Sequence, residues 1–367
     1  MASFSMRWMG AALLPLMVTG CGGGDGGSGS GGTTPVVVAP APTPSPTASA
    51  TAPAPSPSPS PSPSGTTVAP FPAAPAAPAS WNAGVAALYA TAPDVPNCRA
   101  GVLNASVRAD VLTRLNALRA IHHLPAVTYA DADEEQATQA ALLMAANGKL
   151  DHFPTSAWTC YTENGRKGAG SSNLYGGLIA SNLAFYSEDA YLAGWMIETS
   201  NIVANNVGHR RWMLDPFLGR ISYGRVAQLL SDGRRTDASA LKVFDFAGGV
   251  PAPGSLPAFV AYPQGDYPAR YFDPRALLSF SVIADATQRG GANATVNFSA
   301  ATVTVKAGTT TLAVSNITFD NVGYGLPNNI QFNVAGLQDN VTYEVTVANV
   351  TVRGAAKSYT YTFRTVG

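Results

Sequence analysis

The chain is poor in charge. Of its 367 residues only 12% are Asp, Glu, Lys or Arg, and Lys+Arg 22 balances Asp+Glu 22, so the net charge is zero. A protein with no excess of either sign has no global field to gather nucleic acid or anionic lipid, which sets a nucleic-acid partner aside. Long apolar runs are missing too, and nothing resembles a polytopic membrane protein. The shortage of charge is uneven: from Gly22 to Ser80 the only charged residue is Asp25. What the chain does have is Gly 36 and Pro 28, enough to signal a low-complexity stretch. Outside that stretch about 290 residues remain, sufficient for two ordinary domains.

The first 20 residues read as an address. Arg7 supplies one positive charge, and Gly10 to Val18 is an apolar core. At roughly 10 residues it is too short to span a bilayer and reads as the h-region of a signal peptide. It ends in Val18-Thr19-Gly20-Cys21, which resembles the bacterial lipobox, so Cys21 is the expected lipidation site. Lipidation would anchor the protein to a membrane, on the cell envelope of a bacterium. If the host is Gram-negative, Gly22 after the cysteine favours the outer membrane or cell surface. Residues 21–80 follow as a Gly/Ser/Pro/Ala linker. Ser-Pro alternation from Ser56 to Ser64 favours extended polyproline II and offers no side chains for a core, so a disordered stalk is expected.

Composition changes sharply at Trp81, and residues 81–249 read as the first folded domain. Val107, Val111, Leu115 and Leu118 recur at helical spacing, with Asp110 and Arg114 off that stripe. That helix is expected to end at His122-His123, where a cation suits the helix dipole. Asp131 or Asp133 caps a second helix rich in alanine, which stops at Asn147-Gly148. A third begins near Ser187 and carries Tyr191, Leu192 and Trp195 to about Glu198. Strands are expected at Ile221 to Val226 and Leu241 to Phe246. Besides Cys21 the cysteines are Cys98 and Cys160, and an exported protein most simply pairs them. A reactive thiol is the alternative.

Several elements occur together in order: Asn116-Ala117-Leu118-Arg119 with Leu124-Pro125, His152, Ser172-Asn173-Leu174, Trp195-Met196-Ile197-Glu198 and Gly208-His209-Arg210. This set resembles the CAP superfamily, which includes cysteine-rich secretory proteins, venom antigen five and plant pathogenesis-related proteins. The resemblance covers roughly residues 98–246. It implies an α/β/α sandwich with a cleft of two histidines and two acidic residues, sometimes holding a divalent metal. His152 and His209 match the histidines, and Glu198 matches the acidic residue on the Trp helix. Where the family commonly has Glu-Asn-Leu, this chain has Ser172-Asn173-Leu174, and Ser181-Asn182-Leu183 lies nearby. Ser172, Asn173 and Arg210 are expected to line the cleft.

Two readings of His152, Glu198 and His209 stay open. In one, the carboxylate accepts bonds from the imidazoles and from Arg210 or Arg211, and the network fixes loops around a cleft. In the other, the three converge on Zn²⁺ or another divalent ion with water in the fourth position, and Glu198 is the weak candidate for a catalytic group. A variant with Ser172 as nucleophile lacks the Gly-x-Ser-x-Gly elbow.

Residues 250–367 alternate with period two. Val303/Val305, Phe332/Val334, Val341/Tyr343/Val345/Val347 and Tyr359/Tyr361/Phe363 are separated by glycine-bearing turns, which argues for an antiparallel, immunoglobulin-like β-sandwich. Leu337 followed by Tyr343 looks like a tyrosine corner. The fold class is therefore α+β, a CAP-type sandwich followed by an all-β sandwich that supports it or serves adhesion. The expected function is non-enzymatic recognition of a lipid, a sterol-like molecule or a cell-envelope component. A metal-dependent hydrolase, protease or cell-wall enzyme using the same cleft is the alternative.

Overall fold

The computed structural model describes residues 70–367 except 202, 204, 246–250 and 253. The leader, Cys21, most of the linker and Phe246 lie outside the described residues. Among the described residues no helix is long and apolar enough to cross a membrane.

The first half contains α1 (Trp81–Leu88), a small ribbon of β1 (Tyr89–Thr91) and β2 (Val102–Leu103), α2 (Ala105–Ile121) and β3 (Thr128–Tyr129). It continues through α3 (Glu134–Asn147), α4 (Glu163–Gly170), β4 (Ser172–Ala180), α5 (Glu188–Ile197), α6 (Gly208–Met213), β5 (Arg220–Leu229) and β6 (Arg235–Lys242). The strands form one sheet in the order β3-β5-β6-β4, with β3 parallel to β5 and the other pairs antiparallel. Side chains alternate across a strand, so each strand feeds two cores. Leu174, Val226, Ala238 and Ala240 pack with α3 and α4 on one face. Tyr175, Tyr223 and Leu241 pack with α1, α2 and α5 on the other. The result is an α/β/α sandwich.

The alanines of α3 allow its neighbours to approach at backbone distance. A Cβ on Gly168 of α4 would lie 2.0 Å from Gln136 O, and one on Gly224 of β5 would lie 2.4 Å from the Ala137 carbonyl carbon. The helix stops where expected, with Gly148 left-handed at φ 61. Cys98 and Cys160 are disulfide-bonded.

Three expectations change. The last strand of this sheet is Arg235–Lys242 rather than one starting at Leu241, because its buried residues include Thr236, Asp237 and Ser239, which give no hydropathy signal. Arg114 is not off the buried face; its side chain is 7% exposed and pairs with Asp189 at 2.7 Å. His122 does not serve as a cation at a helix end. It is fully buried, and burial pushes its pKa down to about 3, so it is neutral.

The second half forms two sheets. One runs β11 (Thr310–Leu312), β10 (Thr302–Ala307), β14 (Tyr343–Val352), β15 (Ala355–Val366) and β8 (Gly265–Pro268). The other runs β12 (Val314–Asp320), β13 (Asn329–Val334), β9 (Leu278–Val282) and β7 (Phe259–Tyr262). Pairing is antiparallel except for β15 with β8, which is parallel. Phe280, Phe332, Val345 and Phe363 meet in the core between them. Tyr343 makes the corner that its position suggested: its hydroxyl accepts the Gln338 N–H at 2.7 Å.

The two halves share a core. Tyr262, Tyr267 and Tyr271 of the second half pack in the same cluster as Leu115, Leu118, Tyr191 and Met213 of the first. All described residues fall in one compact unit.

Candidate functional site

Glu198 stands at the C-cap of α5 with left-handed backbone, φ 56, and its N–H bonds back to Gly194 O at 3.0 Å. The helix is anchored from within by Trp195, whose indole N–H donates to Leu174 O of β4 at 3.0 Å. At the other end Ser187 caps it, accepting from Ala190 N at 3.3 Å. Beyond Glu198 the chain turns through an asparagine-rich loop into α6, which begins where Asn206 Oδ1 accepts the Gly208 N–H at 2.6 Å.

The Glu198 side chain is 1% exposed and every donor around it is accounted for. Its Oε1 accepts the Arg210 backbone N–H at 2.8 Å, and its Oε2 accepts from Asn201 Nδ2 at 2.6 Å and from His209 Nδ1 at 3.1 Å. Three donors thus meet this buried side chain, and its hydrogen-bonding capacity is taken up within the protein. Because a carboxylate only accepts, the proton of His209 sits on Nδ1, and in the neutral ring Nε2 keeps its lone pair.

His152 is held by a different partner. Its Nδ1 lies 2.8 Å from Ala169 O, at the end of α4, so its proton is again on Nδ1. Burial lowers its pKa, and the neighbouring His209 lowers it further, so the ring is neutral at neutral pH. The two histidines therefore influence each other, but Glu198 stands behind His209 and does not join them as a third ligand. Among the described residues no group of three or more His, Cys, Asp or Glu is arranged to hold a metal ion. The residues present offer two imidazole nitrogens and do not make the three-ligand set expected from the sequence.

A cleft of about 340 Å³ opens beside His209, lined by Glu198, His209 and Asn201 at one end, and His152 does not line it. Its walls carry Tyr175, Tyr186 and Trp195, and its far end is Arg270 with Asp189 and Asp273. Arg270 and Asp273 belong to the C-terminal half, so both halves contribute. Ser172, Asn173 and Arg210 do not line it. All three are buried, at 4%, 1% and 1% exposed. Asn173 Nδ2 donates to His209 O at 3.0 Å, which ties the start of β4 to α6. Ser172 Oγ is buried with no hydrogen-bond partner, so no imidazole is placed to activate it. The second Ser-Asn pair, Ser181-Asn182, is exposed in the turn after β4.

Sequence reasoning missed Asn201, whose amide completes the donor set of Glu198, and it missed Arg270. The asparagine-rich loop was the only local signal for the first. The second comes from a region whose strand pattern pointed to packing alone.

No curated protein matches the chain at a significant level. Residues 112–227, from α2 to β5 and spanning His152, Glu198 and His209, match the model of the cysteine-rich secretory protein family, so the chain carries a CAP domain.

Proposed function

We propose that the cleft beside His209 is a recognition site for a ligand with an apolar body, and that the protein acts as a lipid-anchored binding module of the cell envelope. The observation that carries this is the state of Glu198. Its carboxylate already accepts from His209, Asn201 and Arg210. It is thus committed to holding the loop and α6 in place rather than free to act as a general base. The aromatic walls and the small residues Ala193 and Gly194 give the cleft a largely apolar surface, suited to a lipid, a sterol-like molecule or an apolar cell-envelope component. The lipobox-like Cys21 and the stalk supply the anchor in this reading, and Tyr186, 40% exposed, offers an aromatic contact at the entrance.

Hydrolysis through a divalent ion is the competing reading. A bound ion would supply Lewis-acid chemistry, and His152 and His209 would be its protein ligands through Nε2. The geometry favours recognition because no third ligand joins the two imidazoles among the described residues and the Glu198 carboxylate is already engaged.

Native mass spectrometry separates them. The protein is exposed to a lipid extract and, in parallel, to Zn²⁺, as wild type and as the His152→Ala, His209→Ala double variant. A lipid adduct retained in both forms, with no ion adduct, is the expected result. An ion adduct that the double variant loses would overturn the recognition reading and call for a search for hydrolysis.

A further inference from the structure

His209 rides on a helix of six residues. A single turn and a half does not hold itself in water, so its position is decided by what it packs against. The two residues after His209 answer this. Both are arginines, both are buried, and both are inserted into the C-terminal sandwich.

Arg210 Nη1 donates to Leu277 O at 2.8 Å and to Ser279 Oγ of β9 at 3.0 Å, and the guanidinium stacks 3.5 Å from the centre of the Tyr262 ring. The same side chain reaches back to Met196 O at 2.6 Å and Ile197 O at 3.2 Å, at the end of α5. Arg211 Nη1 donates to both oxygens of Asp320, at 2.9 and 3.0 Å, and Nη2 donates to Val322 O at 2.7 Å and Leu326 O at 3.1 Å. Gly325 lies against the backbone at this point: its φ is +60, and a Cβ would fall 2.1 Å from Arg211 O. Gln331 of β13 also donates to Asn205 O in the loop before α6.

His152 is arranged otherwise. Its imidazole is held by Ala169 O, within the CAP domain. The two histidines, of which His209 lines the cleft, thus depend on different parts of the molecule.

We propose that the C-terminal sandwich sets the imidazole of His209, with Arg211 and Asp320 as positioning residues that act through α6 on the Glu198–His209 hydrogen bond. The bond is 3.1 Å long, near the end of the normal range, so a displacement of α6 by about 1 Å breaks it. Arginine suits the task because one guanidinium gives Nη1 to the Asp320 carboxylate and Nη2 to the Val322 and Leu326 carbonyls. The geometry of this coupling is independent of the ligand, and only its functional consequence rests on the recognition reading above.

The test is nuclear magnetic resonance on the full chain with its four histidines labelled with ¹⁵N, comparing wild type with Asp320→Ala. Asp320 is 34% exposed at its side chain, so its removal leaves the core intact. A single Nδ1–H tautomer is expected for His209 in wild type. The expected result in Asp320→Ala is loss of that single-tautomer signature and faster exchange of the Nδ1 proton at His209, with His152 unchanged. Asp320→Asn, which keeps one accepting oxygen, recovers part of the signature. Should Asp320→Ala fail to fold, Arg211→Lys reads the same coupling, since a lysine keeps the charge and loses the second nitrogen that holds the Val322 and Leu326 carbonyls. A His209 signature identical to wild type in a folded variant overturns the proposal. So does a change that affects His152 and His209 equally, which marks general loosening. Ligand binding is not part of the readout, so absence of any ligand would count against the recognition reading alone.

Discussion

Glu198 Oε2 lies 3.1 Å from His209 Nδ1, while its Oε1 accepts the backbone N–H of the next residue, Arg210, at 2.8 Å. One carboxylate therefore orients the imidazole and satisfies a free N–H at the start of α6. This makes Glu198 part of the architecture of the cleft as much as of its chemistry.

Replacing Glu198 with Gln tests that double role. The amide keeps the size but presents a donor where three donors already converge, leaving at least one buried group unpaired. A loss of about 2 kcal/mol is expected, read as a lower denaturation midpoint in urea at unchanged slope.

Asp189 joins the two halves. It accepts from Arg114 of α2 at 2.7 Å, from Arg270 at 2.9 Å and from the Tyr271 hydroxyl at 2.8 Å. Asp189→Asn leaves Arg114 with Asp110 as its carboxylate partner, at 2.7 Å, and puts an amide where Arg270 and Tyr271 also donate, so a cost of about 2 kcal/mol is expected from chemical denaturation. Because Arg270 and Asp189 also form one end of the cleft, the same variant is expected to weaken ligand capture.

His122 predicts the acid sensitivity of the fold. Its folded pKa is depressed to about 3 from an ordinary 6.5, so between these values the unfolded chain binds a proton that the folded one refuses. Stability contributed by the neutral ring is complete above pH 6.5 and is lost as pH falls toward 3, at roughly 1.4 kcal/mol per pH unit. The lowered pKa of His152 acts in the same direction. His122→Phe is expected to flatten this acid limb in urea titrations between pH 7 and pH 4.

The Cys98–Cys160 bond spans a sequence separation of 62. Replacing both residues with serine is expected to remove roughly 4 kcal/mol through the entropy regained by the unfolded chain. Differential scanning calorimetry of the oxidised protein against the double variant checks it.

Much of the architecture was legible because its signals are local. The stripe Val111, Leu115, Leu118 marked α2, Asn147-Gly148 marked the end of α3, and Tyr343 six residues after Leu337 marked a sandwich corner. Each depends on spacing within a dozen residues, which one element expresses by its own periodicity or by a φ that glycine accepts. The cleft was legible only as a set of residue types. His152, Glu198 and His209 were identified by resemblance, but which nitrogen each ring offers and where the carboxylate turns depend on Ala169 O, Asn201 and the Arg210 N–H.

By itself, then, the sequence determined the helices, the paired cysteines and the presence of a CAP domain before a β-sandwich. Tertiary structure alone decided that Arg114 and His122 are buried, that Glu198 stands behind His209 rather than beside it, and that Arg210 and Arg211 enter the sandwich. The reason is physical: burial of a charge is tolerable only where distant partners meet it, and Arg211 finds Asp320 across 109 residues of chain. No local pattern carries that distance.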